Sequence, residues 1–526
     1  MSVPAPGVSL TWLLDGIAAL PANDARVTDL TLDSRDVRTG SLFFALLGQR
    51  SHGLAFAAEA AARGASVVLW DPQGEPHEHP GDPQGEPHEH PGLGTSTLAA
   101  DAAVFAAPVA GLRQLVGRIA DRFFGWPSSH LRIVGITGTN GKTTCAYLLA
   151  QCLGRLQSDA AYIGTIGWGR IGALEGPTGR RDAHTTPDVV SVHRQLSKLR
   201  ALGVRDVAME VSSHALDQGR VDGVRFHSAA FTNLTRDHLD YHSSMEAYGD
   251  AKARLFAVAD LQHIVVNIGD AFGREFARRY SGRVPLTAVW VGAGDSGWLA
   301  DQSLHADDVV LDLHGISMAL GGSFGKCRLT TKLLGRFNAE NSVIVIACLL
   351  ALGVPLDDAA TALAGCTPPP GRMEVIEPAR RGKPLAVIDY AHTPDALAKA
   401  LRALREHCRG ALWCVFGCGG DRDPGKRPMM GAVADEFADQ IIVTDDNPRS
   451  ENPQSITRGI TGGIKSHAVR VIHDRGKAIA TALNEAASSD IVLIAGKGHE
   501  DYQIYGEVRR SFSDRQEALR CLGAVA

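Results

Sequence analysis

Short β-branched runs alternate with stretches of helical periodicity along most of the chain. The run at 132–137 (RIVGIT) has the character of a buried strand, and 145–153 (CAYLLAQCL) reads as the helix that follows it. Upstream, 27–33 (VTDLTLD), 41–47 (SLFFALL) and 66–70 (SVVLW) predict strands, the first two separated by a polar turn at 34–40. The segment from 207 delivers Glu210 at the C-terminal end of another buried strand, and 331–350 passes from a polar turn into a very apolar helix. Three prolines at 368–370 stop that pattern, because consecutive prolines break helices and stiffen linkers. Beyond them, strands at 385–389, 411–416, 441–444 and 491–495 alternate with helical stretches such as 394–407, a doubly wound pattern. The reading is α/β throughout with three domains: a small α/β unit at 1–127, a central parallel-sheet unit at 128–368 and a Rossmann-like unit at 369–526.

With 526 residues, each unit has enough chain for its own core. A net charge of −5 with 21% charged residues predicts neither a nucleic-acid footprint nor a polybasic membrane patch, so small-molecule partners are expected. Nine scattered cysteines predict reduced thiols, and the CxxxC pair Cys414 and Cys418, with no second pair nearby, does not make a zinc site. No basic leader and no run of membrane-span length are present, so a soluble, cytoplasmic monomer is expected. The chain carries one repeat, DPQGEPHEHPG at 71–81 and again at 82–92. Its histidines (His77, His79, His88, His90) invite a metal reading, but a segment rich in Pro, Gly and Glu has no face to bury and is expected to be a surface loop.

The chain is organised around TGTNGKTT at 137–144. Gly138 and Gly141 let the backbone turn its N–H groups to one point, where a new helix N-terminus adds its dipole. Lys142 is placed to reach the β/γ-phosphates of a nucleoside triphosphate and Thr143 to hold Mg²⁺, which makes the centre P-loop ATPase-like. The spacing departs from the general pattern, since Ile136 stands where its first glycine would fall.

TGTNGKTT resembles the ATP site of the Mur ligase family, which forms the amide bonds of peptidoglycan precursors. Further strings occur in the family's order: LDSRDVRTGSLFFALLGQRSHG, HTTP, VAMEVSSHALDQGR, DHLDYHSSMEAYGDAKARLF, GRFNAEN, DYAHTPD, GGDRD, DNPR and GKGHE. The resemblance assigns the phosphate loop (Gly138, Thr139, Asn140, Gly141, Lys142, Thr143, Thr144), Asn338 with Asn341, and Arg372, Asp389 and His392 to ATP. It assigns Leu32, Ser34, Gln49, Arg50 and Ser51 to the UDP moiety, making 1–127 the nucleotide-sugar unit. Thr185 and Thr186, after His184 and before a helix that Pro187 can open, are assigned with Ser212, Gln218 and Arg220 to the glutamyl end of the acid. Bland readings stand beside these: Ser34 closing a turn, Thr185 and Thr186 capping a helix.

Glu210 at a strand end and His238 offer Mg²⁺ ligands. A lysine there is electrostatically wrong as a cation, but the family's lysine at the position of Lys252 is carbamylated, which converts it to an anion able to help hold metal. Lys142, Glu210, His238 and Lys252 are thus the implied catalytic set, with Thr143, Glu210, His238 and Lys252 (as carbamate) on Mg²⁺. In the last unit, which has no GxGxxG and so predicts no NAD, the resemblance assigns Arg422, Asp446, Asn447, Pro448, Arg449, Gly496 and Glu500 to the added amino acid. Arg449 offers a planar fork for a second carboxylate, which meso-diaminopimelate has and lysine lacks. The implied reaction is ATP-dependent joining of meso-diaminopimelate to UDP-MurNAc-L-Ala-D-Glu through an acyl phosphate. Open beside it are an L-lysine-adding ligase of the same family, a P-loop kinase or ATPase, and a nucleotide-binding protein without ligase activity.

Overall fold

The strand Arg132–Thr137 is central to a ten-stranded sheet in the computed structural model, which describes residues 7–18, 24–48, 51–72, 104–175, 185–292, 301–312, 314–379, 382–466 and 468–524. Gln49, Arg50, His184 and all but the first two residues of the 71–92 repeat, including its four histidines, lie outside the described residues. Arg132–Thr137 pairs in parallel with Asp206–Glu210 on one side and Ser228–Phe231 on the other. Register sets Glu210 opposite Ile136, so the carboxylate leaves the sheet at the edge where the phosphate loop begins. Outward from Ser228–Phe231 come His263–Asn267, Leu286–Val291 and Gln302–Asp312, all parallel, then the antiparallel Gly315–Gly322 and Cys327–Thr331. On the other side Ala160–Gly164 is parallel and Gly167–Gly169 antiparallel.

Helices bury both faces of this sheet, as parallel sheets require. Lys142–Arg155 and Arg336–Ala351 share one core with Val134, Ile136, Ala208 and Val265, and Val189–Ala201 covers the other face through Val192, Leu196 and Leu199. Arg336–Ala351 is apolar nearly all round because it is buried nearly all round.

Four parallel strands, in the order Asp29–Thr31, Ser41–Ala45, Ala65–Trp70 and Phe105–Pro108, make the N-terminal sheet. The single strand expected at 27–33 is divided. Arg26–Val27 pairs with Val8–Ser9, and the break falls at Thr28, whose N–H and hydroxyl go to the carbonyls of Gly40 and Thr39 instead of to a ladder. This unit is fastened to the centre by Arg194, which donates to the Leu30 carbonyl and pairs with Asp29 at 3.0 Å.

The C-terminal sheet has the order Glu374–Ile376, Leu385–Asp389, Ile491–Ala495, Leu412–Phe416, Gln440–Val443, Val469–Val471, parallel except for its first pair. Because Ile491–Ala495 inserts between two strands far earlier in sequence, the segments after Asp389, Ala495, Phe416 and Val443 emerge side by side at one carboxyl edge, the usual place for a ligand in such sheets. His407, closing the helix Pro394–His407, bolts this unit to the central one. Its Nδ1 donates to the Asp312 carbonyl, and its Nε2 accepts from the Gly335 N–H at 2.8 Å. All nine cysteines are free thiols, and among the described residues no helix is long and apolar enough to cross a membrane.

Candidate functional site

Gly138 and Gly141 are glycines for spatial as well as dihedral reasons. Both have positive φ (147° and 85°), and a Cβ would lie 1.9 Å from Thr232 Oγ1 at the first and 2.4 Å from Asn341 Oδ1 at the second. Thr139 N–H donates to the Asn233 carbonyl and Asn140 N–H to Asn233 Oδ1, which ties the loop to the segment after Ser228–Phe231. The helix Lys142–Arg155 starts directly on Gly141, so Lys142, Thr143 and Thr144 form its first turn. Asn341 donates to Asn338 Oδ1 and Asn338 to the Leu334 carbonyl, so the two expected ATP-facing asparagines are a buried pair against the loop.

Lys142 Nζ donates to the carbonyls of Gly138 (2.9 Å) and Thr139 (2.8 Å). Burial pushes its pKa down, with the Glu210 charge opposing. Lys252, 1% exposed, reaches the same Gly138 carbonyl at 2.8 Å and lies over the Tyr248 ring at 4.2 Å. Burial, and then the Lys142 charge, holds its pKa well below the usual lysine range. Glu210 is wholly buried and, among the described residues, receives only neutral donors: Thr143 Oγ1 at 2.8 Å, Thr165 N–H at 2.9 Å, Thr165 Oγ1 at 3.2 Å and the Tyr162 hydroxyl. Two expected metal ligands, Thr143 and Glu210, are therefore hydrogen-bonded to each other. His238 stands apart from them, exposed, in a left-handed conformation (φ 52°), and edge-on to both His214 (4.8 Å) and Tyr248 (6.1 Å), so it shares Tyr248 with Lys252. Among the described residues no three His, Cys, Asp or Glu side chains are gathered closely enough to hold a metal. The remaining donors of the expected set are a hydroxyl and a lysine.

Thr186, Ser212, Gln218 and Arg220 form one network. The Thr186 hydroxyl donates to the Glu210 carbonyl at 2.9 Å and accepts from Ser212 N–H, while Arg220 donates to the Thr186 carbonyl and to Gln218 Oε1. Pro187 does not open the following helix. That helix runs Val189–Ala201 with Asp188 as N-cap, because the Asp188 carboxylate accepts from Ser191 N–H, which leaves Thr185 half-buried at the approach and Thr186 tied to the sheet edge. In the N-terminal unit Ser34 is buried on Glu59 (3.1 Å), Leu32 packs on the core and Ser51 is exposed.

Three nucleotide-assigned residues of the C-terminal unit cluster. Asp389 is fixed by the N–H groups of Met373 and Ala391, and Arg372 lies 4.8 Å from the centroid of Tyr390, on which His392 also packs at 4.6 Å. Burial raises the Asp389 carboxyl, against the pull of Arg372, and lowers the His392 imidazole. The amino-acid residues meet next to them. Asn447 Nδ2 donates to Glu500 Oε2 at 2.9 Å, Pro448 is buried, and Asp446 sits so close to Gly496 (φ 116°) that a Cβ there would be 2.7 Å from Asp446 Oδ2. Arg449 has φ 53°, a costly conformation for a non-glycine residue. It is held by Ile504 and Gly506 through its backbone and by Gly420 through its guanidinium at 2.6 Å. Arg422 is exposed beside Gly419. Tyr162, Thr165 and Lys497 have no place in the expectations drawn from the sequence. Only the last, inside GKGHE, stands in a string that pointed to this site.

Family models match three stretches of the chain: residues 26–123 the Mur ligase family catalytic domain, 136–349 the Mur ligase middle domain and 371–498 the Mur ligase glutamate ligase domain. Proteins named UDP-N-acetylmuramoyl-L-alanyl-D-glutamate–2,6-diaminopimelate ligase from Alkalilimnicola ehrlichii and Ectopseudomonas mendocina are 45% and 46% identical, over 95% and 96% of this chain and 96% and 97% of theirs. A solved structure with the same name is 33% identical, with a TM-score of 0.68 over 98% of this chain and 99% of that one. A folylpolyglutamate synthase of Mycobacterium tuberculosis, 18% identical with a TM-score of 0.56 over 73% of this chain and 92% of its own, shares the fold.

Proposed function

The chain belongs to the Mur ligase family, and we propose that it joins meso-2,6-diaminopimelate to UDP-N-acetylmuramoyl-L-alanyl-D-glutamate with ATP as co-substrate. The observation that carries the choice of amine is the bond from Asn447 to Glu500 at a sheet edge where Arg449, two residues along the same loop, sets its guanidinium on the Gly420 carbonyl: an amide, a carboxylate and a guanidinium fork suited to an amino-acid head that bears both an ammonium and a carboxylate. The names and near full-length identity of the relatives support the same reading.

A carboxylate is a poor electrophile, and phosphorylation by ATP gives an acyl phosphate whose phosphate leaves when an amine attacks. The protein's part is positioning and charge neutralisation. The N–H groups of the phosphate loop and Lys142 hold the β/γ-phosphates. Asn338, Arg372, Asp389 and His392 take the rest of the nucleotide, and Thr185, Thr186, Ser212, Gln218 and Arg220 hold the glutamyl carboxylate near the loop. Leu32, Ser34, Gln49, Arg50 and Ser51 take the UDP end. Arg422, Asp446, Asn447, Pro448, Arg449, Gly496 and Glu500 present the amine.

Glu210 fits a divalent cation, being a buried carboxylate whose hydrogen-bond donors among the described residues are all neutral. Lys252 as an ammonium does not, but its depressed pKa favours the free amine, which adds CO₂ to give a carbamate and a proton. Thr143, Glu210, His238 and carbamylated Lys252 would hold Mg²⁺, which when bound neutralises charge on the transferring phosphoryl group. The test is ADP release by the purified protein. It should require the UDP-linked dipeptide and the amino acid together; ADP release that needs neither marks an ATPase and contradicts the proposal.

A further inference from the structure

Lys497 is a lysine with no exposed surface. Removing an ammonium from water is costly unless it is paired, so its partners indicate what it is for. Its Nζ donates to Glu500 Oε2 at 2.9 Å, faces Asn447 Oδ1 at 3.4 Å and lies 5.2 Å from the centroid of the Tyr502 ring. The same Glu500 oxygen accepts Asn447 Nδ2 at 2.9 Å, and Asn447 Oδ1 accepts the Ile504 N–H at 3.0 Å. One buried cation thus joins the loop after Ile491–Ala495 to the loop after Gln440–Val443. Both of these donors converge on Oε2. The other oxygen, Oε1, carries no hydrogen bond from the described residues, and the Glu500 side chain is 19% exposed where that of Lys497 is 0% exposed.

We infer that Lys497 is a positioning residue that sets the choice of amine, an inference that rests on the diaminopimelate reading of this site. It holds Glu500 in one rotamer with Oε1 turned to the ligand and fixes which way round the Asn447 amide stands. It also neutralises the carboxylate. Glu500 so paired accepts a hydrogen bond from the ammonium of a head whose carboxylate is met by Arg449, but exerts little net pull on the lone ammonium of L-lysine. Without Lys497, Glu500 becomes an unpaired anion that is worse placed for diaminopimelate and more attractive to lysine.

The test uses the full-length enzyme, with kcat and KM measured separately for meso-diaminopimelate, L-lysine, ATP and the UDP-linked dipeptide. Lys497→Met should lower kcat/KM for diaminopimelate about 30-fold or more, chiefly through KM. The value for lysine should hold or rise, and KM for ATP and the dipeptide should stay within about twofold. Lys497→Met/Glu500→Gln should be no worse than Glu500→Gln alone, because Lys497 acts through Glu500. That comparison also carries the test if Lys497→Met does not fold. An unchanged diaminopimelate-to-lysine ratio, or losses that multiply in the double variant, overturns the inference. A wild-type enzyme that rejects diaminopimelate overturns the parent reading, and this one with it.

Discussion

Lys142 and Lys252 donate to one acceptor, the carbonyl oxygen of Gly138, from 2.9 and 2.8 Å. Two ammonium groups on one carbonyl repel, and Lys252, 1% exposed, is the one held well below its usual pKa. Conversion of Lys252 to the proposed carbamate would replace that repulsion with attraction to Lys142.

Lys252→Ala is accordingly expected to lose ligation by about 100-fold or more, the scale of removing a group that stabilises charge in the transition state, with little change in melting temperature. Short-chain carboxylates should restore part of it. In the wild type, ¹³C-bicarbonate should give a carbamate resonance that is absent from the variant, and full activity in Lys252→Ala removes the carbamate from the mechanism.

Tyr162 orients Glu210 from the neighbouring strand. Tyr162→Phe keeps the ring and deletes the donor, so on the proposed role of Glu210 as an Mg²⁺ ligand the Mg²⁺ concentration for half-maximal activity should rise about tenfold, the scale for residues that orient metal ligands. Maximal activity at saturating Mg²⁺ should be largely retained. An unchanged Mg²⁺ dependence contradicts this role.

Burial of His407 holds its imidazole below the ordinary value of 6.5, so the folded state prefers the neutral ring that accepts from Gly335. The stability it contributes is complete above pH 6.5 and is lost as pH falls through the lower folded-state value. His407→Ala should cost about 1–3 kcal/mol at pH 7.5, the penalty of leaving buried partners unpaired. In thermal melts the gap from wild type should narrow at pH 5.5. A gap that stays constant with pH excludes this linkage.

Much of the frame was legible because local signals agreed with tertiary placement. The helix Pro394–His407 is legible to the residue, since Thr393 caps it through Ala396 N–H and Pro394 suits its first turn. The strands Leu385–Asp389 and Ile491–Ala495 are apolar runs buried on both faces and were equally clear. The split at Thr28 was not, because it depends on where Thr39 and Gly40 lie in space. The helix start at Val189 is not legible either, because Pro187 and Asp188 both suit a first turn and only the cap bond to Ser191 decides. Lys497 and Tyr162 escaped for a related reason: a lysine between glycines and a tyrosine in an apolar strand carry no periodic signal, and their roles come from loops and strands distant in sequence.

Arg449→Ala removes the guanidinium proposed to meet the distal carboxylate of diaminopimelate. It should cost that substrate about 2–5 kcal/mol in kcat/KM, as for truncating one side of a buried charge pair, with ATP affinity unchanged. Equal loss for lysine and diaminopimelate would show that Arg449 only shapes the loop it shares with Ile504 and Gly506.

The central claim is tested most directly by incubating the purified wild-type protein with ATP, Mg²⁺, UDP-N-acetylmuramoyl-L-alanyl-D-glutamate and either meso-diaminopimelate or L-lysine, and following product by mass. The account predicts a nucleotide tripeptide that carries diaminopimelate, with one ADP per bond and little product from lysine. Efficient addition of lysine with diaminopimelate left unused would contradict it.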